Sequence, residues 1–251
     1  MAKKSKVGLK VPTANDMAKK YGSMIKLASE VTDTDLYIPS TFFALNYLFG
    51  KGIPYGKIVE IAGEESSGKS LVAYNFAYAT QQLGGHVIWV DAEQSWMNSW
   101  AEINGVDPAR VTIVNDTRIE YIADVVADLA IYLRSQLTHN EPILLVIDSI
   151  AATDCPDNID AKMVDGKAEM GGRAKALYKY FRIRSELFYK LGVSQIYINQ
   201  LRTALNVGFG KDNTTTTGGA ALKFYASIRA AFYSGRSVTI KQNGKERKAG
   251  K

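Results

Sequence analysis

Short, continuously apolar runs recur along this chain, separated by longer stretches whose apolar residues return every three or four positions. The runs are Lys57-Ile58-Val59-Glu60-Ile61-Ala62, His86-Val87-Ile88-Trp89-Val90, Val111-Thr112-Ile113-Val114, Pro142-Ile143-Leu144-Leu145-Val146-Ile147 and Ser194-Gln195-Ile196-Tyr197-Ile198. None shows the strict apolar/polar alternation of a half-exposed strand, so each reads as a strand buried on both faces. Between them, residues 71–79 and 170–191 read as helices. So does 119–135, where Ile122, Val125, Val126, Leu129 and Leu133 keep helical spacing. Apolar strands alternating with helices predict an α/β fold with a mainly parallel central sheet and helices on both faces. Upstream, a short helix is predicted from Thr13 to about residue 27, and another over 42–48 after Pro39-Ser40-Thr41. The cluster Gly50-Lys51-Gly52-Ile53-Pro54-Tyr55-Gly56 is a turn. No internal repeat interrupts the pattern. Residues 1–12 read as disordered. The expected organisation is a basic arm with a short oligomerisation helix over 1–34 and one core over 35–251.

Composition narrows the class. A chain of 251 residues with 46% hydrophobic side chains is ordinary for a globular protein and can bury a sizeable core. The single cysteine, Cys155, excludes an internal disulfide and suits a reducing compartment. His86 and His139 have no Cys or His partner at ligand spacing, which argues against a zinc site. No apolar run approaches the ~18 residues of a membrane helix, and Met1-Ala2-Lys3-Lys4 leads into no signal-peptide core, so a cytosolic location without membrane contact is expected. The formal charge is 31 − 25 = +6, which mildly favours nucleic-acid binding. The charge gathers partly in an N-terminal arm (Lys3, Lys4, Lys6, Lys10) and a C-terminal tail (Arg236, Lys241, Lys245, Arg247, Lys248, Lys251), either of which is also ordinary for a solvated chain end.

The chemistry is concentrated where strands end. Gly63-Glu64-Glu65-Ser66-Ser67-Gly68-Lys69-Ser70 fits G-x-x-x-x-G-K-[ST] and sits between a predicted strand and a predicted helix beginning at Leu71, as a phosphate-binding loop requires. Its glycines let successive backbone N–H groups turn toward phosphate oxygens, and the helix start adds unpaired N–H groups. Lys69 can reach the terminal phosphates of ATP, and the Ser70 hydroxyl can ligate Mg²⁺. Asp148, directly after the strand 142–147, is placed to support the same ion opposite the loop. Asp91-Ala92-Glu93 follows another strand end, where Glu93 can orient a water and take its proton. Asn199-Gln200 ends a third strand, and Gln200 can hydrogen-bond a γ-phosphate and report its loss. Residues 201–219 then read as a long Thr/Gly-rich loop with Arg202 and Lys211. A loop of that length in a compact domain is usually functional or disordered.

Taken together, these segments resemble the RecA family of DNA recombinases. The resemblance rests on residues 52–70, on Val90-Asp91-Ala92-Glu93, on 146–151, on Ile198-Asn199-Gln200-Leu201-Arg202, and above all on the run 215–227, in family order over about 15–235. It implies a RecA-type P-loop NTPase fold and a DNA-dependent ATPase. Copies of it would form a helical homo-oligomer on single-stranded DNA and pair that strand with homologous duplex in recombination and repair. It also implies that Lys69 and Ser70 bind phosphates and Mg²⁺, that Asp148 supports Mg²⁺ through water, that Glu93 activates water, and that Gln200 couples ATP to a second DNA-binding loop at about 201–217. By the same resemblance Trp100 stacks on adenine. A first DNA-binding loop falls at about 158–172. Lys175, Arg182, Arg202, Gly218 and Gly219 meet DNA phosphates, Met170 and Leu205 wedge against stretched bases, and Lys223, Phe224 and Arg229 act at the subunit interface.

This sequence departs from the family pattern in three places. The N-terminal region is short. Met97 stands where an acidic adenine contact is usual. The sequence does not continue through the later strands that carry a lysine pair acting across the interface, and residues 245–251 read as an unfinished hairpin. A fragment and a reduced, phage-encoded homologue both fit that pattern. Two other functions stay open at this point: a helicase or KaiC-like ATPase of the same fold, and an ATP- and DNA-binding module with little turnover.

Overall fold

The computed structural model describes residues 14–22, 36–155, 171–203, 214–216, 220–233, 235, 238–242 and 245–250. The chain divides into two compact units, Met1–Asp35 and Leu36–Lys251. In the first, α1 is Ala14–Tyr21, and residues 23–27 of the helix predicted from the sequence lie outside the described residues.

The second unit is a parallel α/β sheet. Its strands are β3 (Ile58–Gly63), β4 (His86–Asp91), β5 (Val111–Val114), β6 (Ile143–Asp148), β7 (Val193–Thr203) and β9 (Ile228–Phe232), with β8 (Thr214–Thr216) attached to β7. The spatial order is β5-β4-β6-β7-β3-β9, and every neighbouring pair along it is parallel. The helices in this unit are α2 (Phe43–Phe49), α3 (Lys69–Gln82), α4 (Asn98–Ile103), α5 (Ile119–Gln136), α6 (Gly172–Lys190) and α7 (Ala221–Tyr225). A two-residue ladder joins β1 (Tyr37–Ile38) to β2 (Ile53–Pro54). Among the described residues, no helix is long and apolar enough to cross a membrane.

The apolar runs sort by parity, as burial on both faces demands. On β4 and β6, Ile88, Val90, Ile143, Leu145 and Ile147 pack with Ile122 and Val126 of α5 and with Leu177 and Phe181 of α6. The alternate residues Val87, Trp89, Leu144 and Val146 pack on the other face with Val72, Ala73, Phe76 and Ala77 of α3. Fully burying each large aliphatic or aromatic side chain contributes roughly 1.5–3 kcal/mol, so the two faces together hold the sheet between its helices.

Two sequence expectations are corrected here. Residues 201–219 are not a loop throughout: β7 runs on to Thr203 and pairs antiparallel with β8, Leu201 opposite Thr216 and Thr203 opposite Thr214. The threonines responsible are β-branched and favour extended backbone, a signal that the Gly-rich surroundings obscured. The tail is also not an unfinished hairpin. β10 (Val238–Gln242) pairs with β11 (Lys245–Gly250), with Lys241 opposite Glu246.

Candidate active site

β3 is buried along its whole length and delivers the chain to Gly63 at the rim of the sheet. A Cβ on Gly63 would lie 2.5 Å from the Phe232 carbonyl oxygen and 2.6 Å from Ser67 Oγ, so the turn closes only around glycine. The loop then uses left-handed backbone at Ser66 (φ 58°) and Gly68 (φ 90°). Gly68 caps α3, which begins at Lys69. The helix predicted to begin at Leu71 therefore starts two residues earlier, and Lys69 and Ser70 stand in its first turn, where backbone N–H groups lack intrahelical acceptors. Lys69 Nζ donates to the Glu64 carbonyl oxygen at 2.5 Å, curling back over the loop.

The opposing wall comes from the next strands. β4 and β6 end in register at Asp91 and Asp148. Ser70 Oγ donates to Asp148 Oδ2 at 2.8 Å. Burial pushes the Asp148 carboxyl up to about 6; the Ser70 hydrogen bond opposes this, and the Glu93 and Asp91 charges add to it. Asp91 shapes the turn that carries Glu93, accepting the backbone N–H of Ser95 on Oδ1 and of Trp96 on Oδ2, each at 2.9 Å. Ser149 Oγ donates to Glu93 Oε1, which fixes the carboxylate beside Asp148. On the third side Gln200 lies opposite Gly63 in the β3–β7 ladder.

These elements enclose a cavity of about 380 Å³ lined by Gly63, Glu65, Ser66, Lys69, Ser70, Glu93, Asp148, Ser149, Ile198, Gln200 and Leu201. The residues fit a magnesium nucleotide. Among the described residues, Ser67 Oγ is buried without a hydrogen-bond partner, Lys69 is the cation of the cavity wall, and the crowded Asp148 carboxylate is poised for neutralisation by a divalent ion. Of the residues named from the sequence, Leu71 is on the exposed side of α3 and Trp100 is partly exposed on α4; neither lines the cavity. Glu64, Ser67 and Gly68 shape the loop from behind it.

A second concavity of about 500 Å³ lies between α6 and α7, lined by Ala174, Lys175, Tyr178, Lys179, Arg182, Ala220 and Ala221. Lys175 and Arg182 are both solvent-exposed there. The backbone of Arg202 is in β7 opposite Thr215, while its side chain, like Met170, Leu205, Gly218 and Gly219, lies outside the described residues. Lys223 and Phe224 are exposed on α7, Phe224 at 78%. Arg229 is directed inward, its Nε 2.6 Å from Glu60 Oε2.

Sequence reasoning did not single out Asp91, Ser149, Glu60 or Asn199 as organisers of the site. Asp91 and Ser149 carried a signal in their position, Asp91 as the last residue of β4 two before Glu93 and Ser149 directly after Asp148. Glu60 carried a stronger one, a lone carboxylate inside an apolar run.

A phosphate loop between β3 and α3, faced by carboxylates at the ends of β4 and β6, defines a P-loop nucleotide-binding protein of the parallel α/β type. The family matched is more specific: the RecA N-terminal domain covers residues 11–250. The chain belongs to the RecA family. It is similar to Protein RecA of Corynebacterium urealyticum, 36% identical over 209 residues, covering 83% of this chain and 54% of that protein. Protein RecA of Nautilia profundicola is 34% identical over 227 residues, with 90% and 61% covered. That of Nocardioides sp. is 37% identical over 209 residues, with 83% and 57% covered. The chain thus spans between 54% and 61% of the length of these relatives.

Proposed function

We propose that this protein is an ATP-dependent DNA recombinase. ATP-bound copies assemble as a helical filament on single-stranded DNA in the cytoplasm, hold it for pairing with homologous duplex, and release it after hydrolysis. One observation carries the reading: Lys69, Ser70, Glu93, Asp148 and Gln200, drawn from four separate elements, line one cavity, and Gln200 roots the β7–β8 hairpin.

The roles follow from position. The loop N–H groups from Gly63 to Leu71 and the Lys69 ammonium bind the phosphates. Ser70 and, through water, Asp148 hold Mg²⁺, which when bound neutralises charge on the phosphate oxygens. Glu93, oriented by Ser149, accepts the proton of a water attacking the γ-phosphorus. Gln200 hydrogen-bonds the γ-phosphate and loses that partner on hydrolysis, which changes the strand that leads into residues 204–213. Trp100 stacks on the base.

Lys175 and Arg182 meet DNA phosphates in the concavity beside α6; Arg202, Gly218 and Gly219 also meet phosphates, and Met170 and Leu205 contact bases. Such contacts give affinity without sequence preference. Lys223 and Phe224, both exposed on α7, act at the junction with the next copy.

The test is fluorescence anisotropy of a labelled oligonucleotide with ATP, with a slowly hydrolysed analogue and without nucleotide, followed by electron microscopy of the bound state. Nucleotide-dependent binding and helical filaments are expected. Binding of ATP with no nucleotide-dependent affinity for single-stranded DNA would refute the reading, and closed rings that unwind duplex would replace it with a helicase.

A further inference from the structure

Glu60 stands in the middle of β3 and is 1% exposed. An unpaired carboxylate at such a position costs several kcal/mol, so its partners are informative. Oε2 takes the Arg229 guanidinium at 2.6 Å. Oε1 accepts from Asn199 Nδ2 at 2.9 Å. Asn199, itself fully buried, turns its Oδ1 to the backbone N–H of the next residue, Gln200, at 2.9 Å. The ladders account for the alignment: Glu60 is opposite Arg229 in β9, and two residues along, Ala62 is opposite Asn199. The pairing of β6 with β7 stops at Tyr197, and beyond it the Asn199 side chain supplies an acceptor for the Gln200 N–H.

Strand pleating gives this chain of contacts a direction. Successive side chains point to opposite faces of a sheet. Asn199 and Glu60 therefore lie on the face away from the nucleotide cavity, while Gln200, with Ile198, lines that cavity. A buried ion pair is weak evidence of stabilisation, because a well-packed apolar pair of similar volume often does as well. What the polar chain adds is a fixed backbone orientation at Gln200, the polar side chain that β7 presents to the nucleotide cavity.

We propose that Arg229, Glu60 and Asn199 are positioning residues for Gln200, holding its backbone so that its side chain faces the γ-phosphate. The proposal rests on the reading of Gln200 as the γ-phosphate contact, and it is independent of DNA.

The test measures the affinity of the purified chain for ADP and for a non-hydrolysable ATP analogue, without DNA, by calorimetry. The ratio of the two dissociation constants reports γ-phosphate recognition, while ADP affinity alone reports the intact phosphate loop. Gln200→Ala is expected to lower the ratio about tenfold. Asn199→Ala and Arg229→Met are expected to lower it at least threefold with ADP affinity unchanged. Asn199→Ala combined with Gln200→Ala should lose no more than Gln200→Ala alone, since the asparagine acts only through the glutamine. If either variant does not fold, Glu60→Leu combined with Arg229→Met carries the test, because it removes the acceptor of Asn199 without leaving a buried charge unpaired. A wild-type ratio in folded variants, losses that add in the double variant, or a wild-type protein that does not discriminate the two nucleotides would each overturn the proposal. An intact ratio pattern with no DNA-stimulated turnover would instead overturn the recombinase reading alone.

Discussion

Replacing Asp148 with asparagine keeps the shape of the side chain and its capacity to accept from Ser70 Oγ, while removing a charge that the fold tolerates poorly. Asp148 is 5% exposed, and its carboxyl is raised from 3.8 to about 6, chiefly by burial. That difference corresponds to about 3 kcal/mol of folded-state cost for the ionised form, and relaxation around the site brings the expected value to about 1–3 kcal/mol. The folded protein holds this proton more tightly than the unfolded chain, so the cost is fully present above about pH 7. It falls to about half by pH 5 and nearly vanishes below pH 4. Asp148→Asn should therefore stabilise the nucleotide-free protein at pH 8, by an amount that shrinks as pH falls. Urea unfolding at pH 8 and pH 5 measures it. The same variant should lose most of the stabilisation that Mg²⁺ and ATP give the wild type, which is about 2.7 kcal/mol at a hundredfold excess over the dissociation constant. A nucleotide-free variant no more stable than wild type at pH 8, or a difference that grows toward low pH, refutes the reasoning.

Three further outcomes are expected. Glu93→Gln should bind ATP normally and turn it over roughly 10²–10⁴-fold more slowly, measured by phosphate release; unchanged turnover removes Glu93 from the proton-transfer role. Gly63→Ala should destabilise the fold by about 1–3 kcal/mol in denaturant melts, because its Cβ would press on the Phe232 carbonyl oxygen 2.5 Å away. Arg182→Ala should weaken single-stranded DNA binding evenly across sequences and reduce the slope of log affinity against log salt by about 0.7, read from anisotropy titrations; an unchanged slope means that no phosphate sits there.

The centre of the parallel sheet was legible because β3, β4 and β6 are buried on both faces, and burial leaves an unmistakable mark in Ile143 to Ile147. The site was legible because phosphate binding needs Gly63, Gly68 and Lys69 at fixed spacing, and because ligands of parallel sheets gather at strand ends, where Glu93, Asp148 and Gln200 were found. Less legible was anything that depends on pairing across the sheet. The extension of β7 to Thr203 needs β8 beside it, and neither segment alone carries enough apolar pattern to announce a strand. The Arg229–Glu60–Asn199 contacts join residues 139 and 169 positions apart. Register brings them together, and register is not written in any one segment.

β7 is eleven residues long while the strands on either side have six. Gln200 is its last residue paired with β3, and three more residues continue to Thr203 with β8 alongside. At about 3.3 Å per residue the overhang is roughly 10 Å, so a tilt of about 10° at Gln200 moves its far end by about 2 Å. A paired ribbon carries that displacement as a lever arm, whereas a single extended strand would dissipate it in its own bending. On the proposed role of Gln200, the loss of one phosphate contact would be geared up by such a tilt to a movement comparable with the length of a hydrogen bond, delivered where β7 leaves its pairing with β3.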